Sequence, residues 1–233
     1  MSRKSSLPTL LAGLCVGALA MPAHAEGPMN TYDAGTLARG GMKLEAVWSF
    51  DDDKNLDAGE AVYGFSVIEN LEFALSAARE RDDETKAKAG GFTAKWVPIQ
   101  RETGWSLGAS FAYGQARETD RASDDKTTAR DYALTGLASY RMENGQVLHL
   151  NLGVTRAKND AQEWDNVGAW SLGYEFPLMA KLRLTADVFG EEGGDADAQL
   201  GLRYEIAEGL KVFGALGHGN HRDFGTAGVA WEF

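Results

Sequence analysis

The chain has 233 residues, a single cysteine and a net charge of −11, with 34 acidic against 23 basic side chains. That balance excludes a nucleic-acid footprint, which needs clustered Lys and Arg, and one cysteine excludes an internal disulfide framework. Beyond the N-terminus no apolar run approaches the roughly 20 residues of a membrane-spanning helix.

Residues 1–25 read as a secretory signal peptide. Arg3 and Lys4 form the charged start, Leu7 to Met21 the apolar stretch, and Ala23-His24-Ala25 a small-x-small cleavage site. Cys15 would suit a lipoprotein only with a small residue before it, and Leu14 stands there. Cleavage after Ala25 removes two basic residues and the cysteine, so the net charge becomes −13. Residues 26–40, with Pro28, Asn30 and Gly35, read as a periplasmic tail or as a segment tucked into a lumen enclosed by the rest of the chain.

From Gly41 onward the chain alternates with period two in segments of about ten residues, the length of a tilted membrane strand. Met42 to Phe50 gives the first apolar face, Tyr63 to Val67 the second, Leu71 to Leu75 the third, and Phe92 to Trp96 the fourth. Trp105 to Tyr113, Tyr132 to Tyr140, Leu148 to Val154 and Trp170 to Phe176 give the next four. Leu182 to Val188, Leu200 to Ile206 and Leu210 to Leu216 come after them. The last strand ends Val229, Trp231, Phe233 on one face, with Gly228, Ala230 and Glu232 on the other. A terminal Phe closing such a strand is the signal read by the outer-membrane assembly machinery.

Short connections fall after the even strands, at Glu69-Asn70, Gln100 to Thr103, Glu143 to Gly145, Pro177 to Ala180 and Ala207 to Gly209. Asn144-Gly145 suits a type I′ turn. Long polar connections come after the odd strands: Asp51 to Ala58, Arg79 to Lys88, Arg117 to Thr128, Arg156 to Asp165, Glu191 to Asp197 and Gly217 to Asp223. The expectation is an all-β transmembrane antiparallel barrel of about 12 strands over residues 41–233, with short periplasmic turns and longer external loops. Ten or fourteen strands also fit this pattern, because strand limits read from sequence shift by about two to four residues.

If the apolar face meets lipid, the opposite parity faces the lumen. The pore-lining candidates are Lys95, Arg141, His149, Asn151 and Glu175, then Arg183, Asp187, Arg203, Glu205 and Lys211. Their mixed charge allows either a salt-bridge network bracing the wall or a polar constriction with weak ion selectivity. The charged positions fall mainly in the periplasmic half, and the upper half is richer in Gly, Ala, Ser and Thr.

Chemistry beyond passage finds little support. His149 has no Ser two residues on, and His218 and His221 sit beside Asp223 in the last external loop. Asp51, Asp53, Asn55 and Asp57 alternate as at the start of a calcium loop, but Leu56 stands where Gly is required. No catalytic residue, cofactor or metal is expected.

The later stretches LHLNLG (Leu148 to Gly153), GYEFPLMAKLRLTADVFG (Gly173 to Gly190), QLGLRYEIAEGLKVFGALGHG (Gln199 to Gly219) and GVAWEF resemble the outer-membrane transporters of the phenol meta-cleavage degradation pathway. In the first half the resemblance rests mainly on VYGFSVIENLEFAL. It implies a channel for small, often hydrophobic or aromatic compounds and carries no catalytic residue. A second likeness is to small twelve-stranded oligosaccharide porins, whose strongly basic lumen the mixed charge here does not match. The expected setting is the outer membrane of a Gram-negative cell. The expected partners are lipid, lipopolysaccharide, the assembly machinery and a small-molecule solute, with the chain as a monomer. The alternative is a closed structural or adhesive barrel acting through its loops, and a third reading is a hydrolase.

Overall fold

An extended chain points successive side chains to opposite sides, so a strand apolar at every second position must put one face against lipid or a core and the other elsewhere. In the computed structural model, which describes residues 27–53, 55–160, 163–219 and 221–233, that choice repeats twelve times. The strands are β1 (Met42–Asp51), β2 (Leu56–Ile68), β3 (Leu71–Arg81), β4 (Thr85–Ile99), β5 (Gly104–Asp120) and β6 (Lys126–Arg141). They continue as β7 (Val147–Asn159), β8 (Asp165–Met179), β9 (Leu182–Glu191), β10 (Asp197–Ala207), β11 (Leu210–Gly219) and β12 (Arg222–Glu232). Each pairs antiparallel with its chain neighbours, and β1 pairs with β12 to close the barrel. Closure leaves no edge strand with unpaired backbone groups. The expected signal peptide, its expected cleavage site and Glu26 lie outside the described residues.

The barrel is inverted relative to a soluble core. Leu44, Trp48, Leu75, Leu134, Leu152 and Leu200 are exposed on the outside, whereas Lys43, Glu72, Lys95, His149, Asp187 and Arg203 are buried on the inside. At the seam Leu44 faces Trp231 and Ala46 faces Val229. Met42 and Phe233 exchange backbone hydrogen bonds of 2.8 and 3.0 Å. Val229, Trp231 and Phe233 all lie on the exposed outer face, the last two with ring centroids 4.6 Å apart.

Two connection details differ from the expectation. The turn at Asn144-Gly145 is not type I′, since only Gly145 takes a positive φ (81°). Gly145 N–H donates to Met142 O at 3.0 Å and Met142 N–H to Gln146 O at 2.9 Å, a type I turn followed by a left-handed glycine. The external polar stretches are also mostly paired strand. β4, β5 and β6 run for 15, 17 and 16 residues, beyond what a tilted membrane crossing needs. Towards the external ends the outward positions turn polar, so the apolar alternation disappears while backbone pairing continues.

Candidate functional site

Inward positions on β6 to β10 converge on Glu175. Its Oε2 accepts from Arg203 at 2.6 Å and from Arg183 at 3.3 Å, and its Oε1 lies 3.5 Å from His149 Nε2. Arg183 and Arg203 face each other in the β9–β10 register. Like charges directly opposite repel, and the shared carboxylate makes their proximity tolerable. His149 Nδ1 sits 2.8 Å from Ser139 Oγ.

A second group forms on β1, β3 and β4. Glu72 lies 3.8 Å from Lys43 and 3.7 Å from Lys95, and Lys43 also reaches Glu45 at 3.9 Å. Lys211 meets Glu232 at 3.2 Å between β11 and β12. Glu205 stands opposite Lys211 in register.

Residues 27–37 run across this interior. Asn30 and Thr31 donate their backbone N–H to Asp187 Oδ2 at 2.7 and 3.1 Å. Tyr32 N–H donates to Asn151 Oδ1 at 2.6 Å while Asn151 Nδ2 donates to Tyr32 O at 3.0 Å, so the side chain imitates a strand neighbour. Ala34 N–H donates to Ser139 Oγ at 2.7 Å, and Leu37 N–H to Glu72 Oε2 at 2.9 Å. Gln199 holds Pro28 O at 2.9 Å. Asp33 links Lys95 and Arg141, each at 3.4 Å. The barrel wall makes room for this crossing with glycine. A Cβ at Gly173 would come within 2.6 Å of Met29, and one at Gly201 within 2.6 Å of Pro28. Ala34 packs with Val97 and Leu137 in a small apolar contact inside the wall.

At the opposite end Arg222 bridges Asp51 and Asp197, its guanidinium 4.9 Å from the Phe224 ring. Asp51, the first carboxylate of the calcium-like alternation, is thus committed to an arginine. No group of residues suited to a metal ion occurs among the described residues. The remaining inner wall at this height, on β4 to β7, is small: Ala89, Ala116, Ala129 and Ala133 surround the level of Asp131. Asp131 is fully buried, and neither carboxylate oxygen has a hydrogen-bond partner among the described residues.

Of the ten inward candidates, Lys95, His149, Asn151, Glu175, Asp187 and Arg203 are buried, and Arg141, Arg183, Glu205 and Lys211 are half-buried. The structure brings His149, Glu175, Arg183 and Arg203 together and ties Lys95 and Arg141 through Asp33. Sequence reasoning missed Ser139. A hairpin centred on Asn144 places Ser139 opposite His149, as the register shows, so the signal was present. The Ser139–His149–Glu175 series has a triad's residue types, but Ser139 is fully buried and its oxygen accepts from Ala34.

Residues 14–232 match the family described as Uncharacterised conserved protein UCP029691. The chain belongs to that family. No curated protein matches it in sequence. Among solved structures it is similar to the KdgM porin in complex with disordered oligogalacturonate, at TM-score 0.55 and 12% identity over 82% of this chain and 99% of that one. The NanC porin gives TM-score 0.55 at 7% identity, covering 81% and 98%. The translocator domain of the autotransporter NalP from Neisseria meningitidis gives 0.54 at 16%, covering 84% and 90%. At such identities the likeness is one of fold: a closed twelve-stranded outer-membrane barrel.

Proposed function

We propose that this chain is an outer-membrane channel for small solutes whose path is closed at rest by its own residues 27–37. The observation that carries this reading is how the segment is held. Its backbone is tied by hydrogen bonds to side chains on β3, β6, β7 and β9 rather than by a broad apolar interface. Such bonds exchange with water at a net cost of about 0.5–1.5 kcal/mol each, so a wet lumen can replace them. The porin-like fold supports passage, and the nearly balanced charge of the interior favours weak ion selectivity.

The resemblance to the phenol-pathway transporters supports small hydrophobic or aromatic solutes. The ten inward candidates are the pore lining in this reading, with Glu175, Arg183 and Arg203 forming the periplasmic constriction. Val229, Trp231 and Phe233 are the assembly signal, and the chain works as a monomer in the outer membrane after cleavage behind Ala25. An enzymatic role is disfavoured because Ser139 is sealed beneath Ala34. A closed structural barrel is the second reading, favoured by the complete burial of Thr31 and Ala34.

Single-channel recording in planar bilayers tests this. The chain refolded from Ala38 onward should give long-lived conductance steps, and the chain retaining residues 27–37 smaller or intermittent ones. Assembled barrels that pass no current in either form would establish the closed structural barrel.

A further inference from the structure

The outer wall is as ordered as the inner one. On β3 to β7 the outward positions are apolar at mid-membrane and turn basic at the upper end. β3 reads Leu75, Ala77, Arg79; β5 reads Phe111, Tyr113, Gln115, Arg117; β6 reads Leu134, Tyr132, Arg130. β7 ends Val154, Arg156, Lys158. No outward position on these five strands carries an acid, although acids outnumber bases 34 to 23 in the chain. At the same height the acids point inward, as with Asp131.

The register sets these cations side by side. Arg79 faces Lys88, and Lys88 faces Arg117, making a row across three adjacent strands. Arg81 opposes Lys86 one step higher, and Arg130 opposes Lys158 on the next pair. All but the half-buried Lys158 are exposed. None of them makes an ion pair among the described residues. Trp164, at the end of the β7–β8 connection, has its ring 5.4 and 5.1 Å from the Arg156 and Lys158 cations and 5.6 Å from Tyr132, which pairs with Arg156 in register, so aromatic rings stand at the level of the basic belt. Like charges directly opposite on neighbouring strands destabilise the sheet. Strands about 4.8 Å apart also hold such a row at a spacing that a multiply charged anion can bridge. The belt therefore calls for counter-charge from outside the chain, at the level where an aromatic girdle marks the lipid headgroups.

We infer that the outer face of β3 to β7 is a binding site for the phosphorylated headgroup of an outer-leaflet lipid, with the Arg79–Lys88–Arg117 row as its centre. Arg forks engage phosphate oxygens in bidentate fashion and Lys adds a point charge. The acyl chains would lie along Leu75, Phe111 and Leu134 below. The rest of the wall lacks the pattern: on β9, β10 and β12 the outward positions carry Leu184, Leu202 and Val229 with no basic residue.

The test uses the barrel in phosphatidylcholine nanodiscs doped with bisphosphorylated lipid A or with its dephosphorylated form, bound lipid being read by native mass spectrometry. The wild-type chain should retain the phosphorylated lipid selectively. The Arg79→Ser/Lys88→Ser/Arg117→Ser variant should bind it about 100-fold more weakly, at roughly a factor of five per surface cation, while Lys181→Ser at the opposite end binds normally. Heat-modifiable gel migration verifies assembly. Should the triple variant fail to assemble, salt titration of the wild type substitutes, and binding must fall steeply with ionic strength. Equal retention of the dephosphorylated lipid, an unaffected triple variant, salt-insensitive binding, or inorganic phosphate binding the row as tightly as the lipid would each overturn the proposal.

Discussion

In the half of the lumen nearest Met42 and Phe233, two buried carboxylates have close partners: Glu72 has Lys43, Lys95 and the Leu37 N–H, and Glu175 has Arg183 and Arg203. In the far half, along β4 to β7, Asp131 is as deeply buried among alanines and has no hydrogen-bond partner among the described residues. The same residue class thus meets opposite environments within one barrel. The difference lies in which partners reach each carboxylate: residues 27–37 donate to Glu72 and Asp187, arginines reach Glu175 in one half and Asp51 and Asp197 in the other, and no described residue hydrogen-bonds Asp131. Burial of a charge is tolerable only when such partners arrive with it.

The largest effect should come from breaking the satisfied half. Arg203→Met leaves Glu175 dehydrated beside the half-exposed Arg183, and should cost about 3–5 kcal/mol, the penalty of orphaning a buried ion. Urea unfolding in detergent micelles reads it. A cost near zero would mean that water, not Arg203, already solvates Glu175.

The next effect sharpens the inside–outside contrast over a single residue step. Leu202 comes directly after Gly201 and points to the outer face, exposed, while Gly201 lies against Pro28 inside. Leu202→Arg should cost about 2–4 kcal/mol near the bilayer midplane, measured by unfolding from lipid vesicles. A tolerated arginine there would reverse the parity of β10 and with it the inward assignment of Arg203.

These two faces were legible in the sequence because each membrane strand keeps period two: Leu148, Leu150 and Leu152 stand out against His149 and Asn151, and the hairpin order is set by the turns. The external strand ends were not legible. Lys86, Lys88, Arg117 and Thr128 put polar side chains on the outward face where the membrane strands carry apolar ones, so the sequence there reads as loop while the backbone pairs as strand. The course of residues 27–37 was hidden for a different reason. Pro28, Asn30 and Gly35 have no periodicity, and their partners are scattered from Glu72 to Gln199 along the chain. Apart from Gln100, the exposed turn residue that holds Thr36, what unites those partners is only that they face inward, a property of the closed barrel and of no local segment.

The smallest predicted effect has the opposite sign and tests the unsatisfied carboxylate. Asp131 sits between Gly114 and Ala157 in the register, with alanines above and below on its own strand. It costs desolvation in the folded barrel without recovering a hydrogen bond, whereas in the unfolded chain water solvates it freely. Replacing it by Ala removes the cost and leaves a wall already built of small side chains. Asp131→Ala should therefore stabilise the barrel by about 1 kcal/mol, in contrast to the loss expected for Arg203→Met. Unfolding in micelles near neutral pH gives the measurement. A destabilised variant would show that Asp131 holds a partner in the membrane, such as a bound cation, and the two halves of the lumen would then obey the same rule.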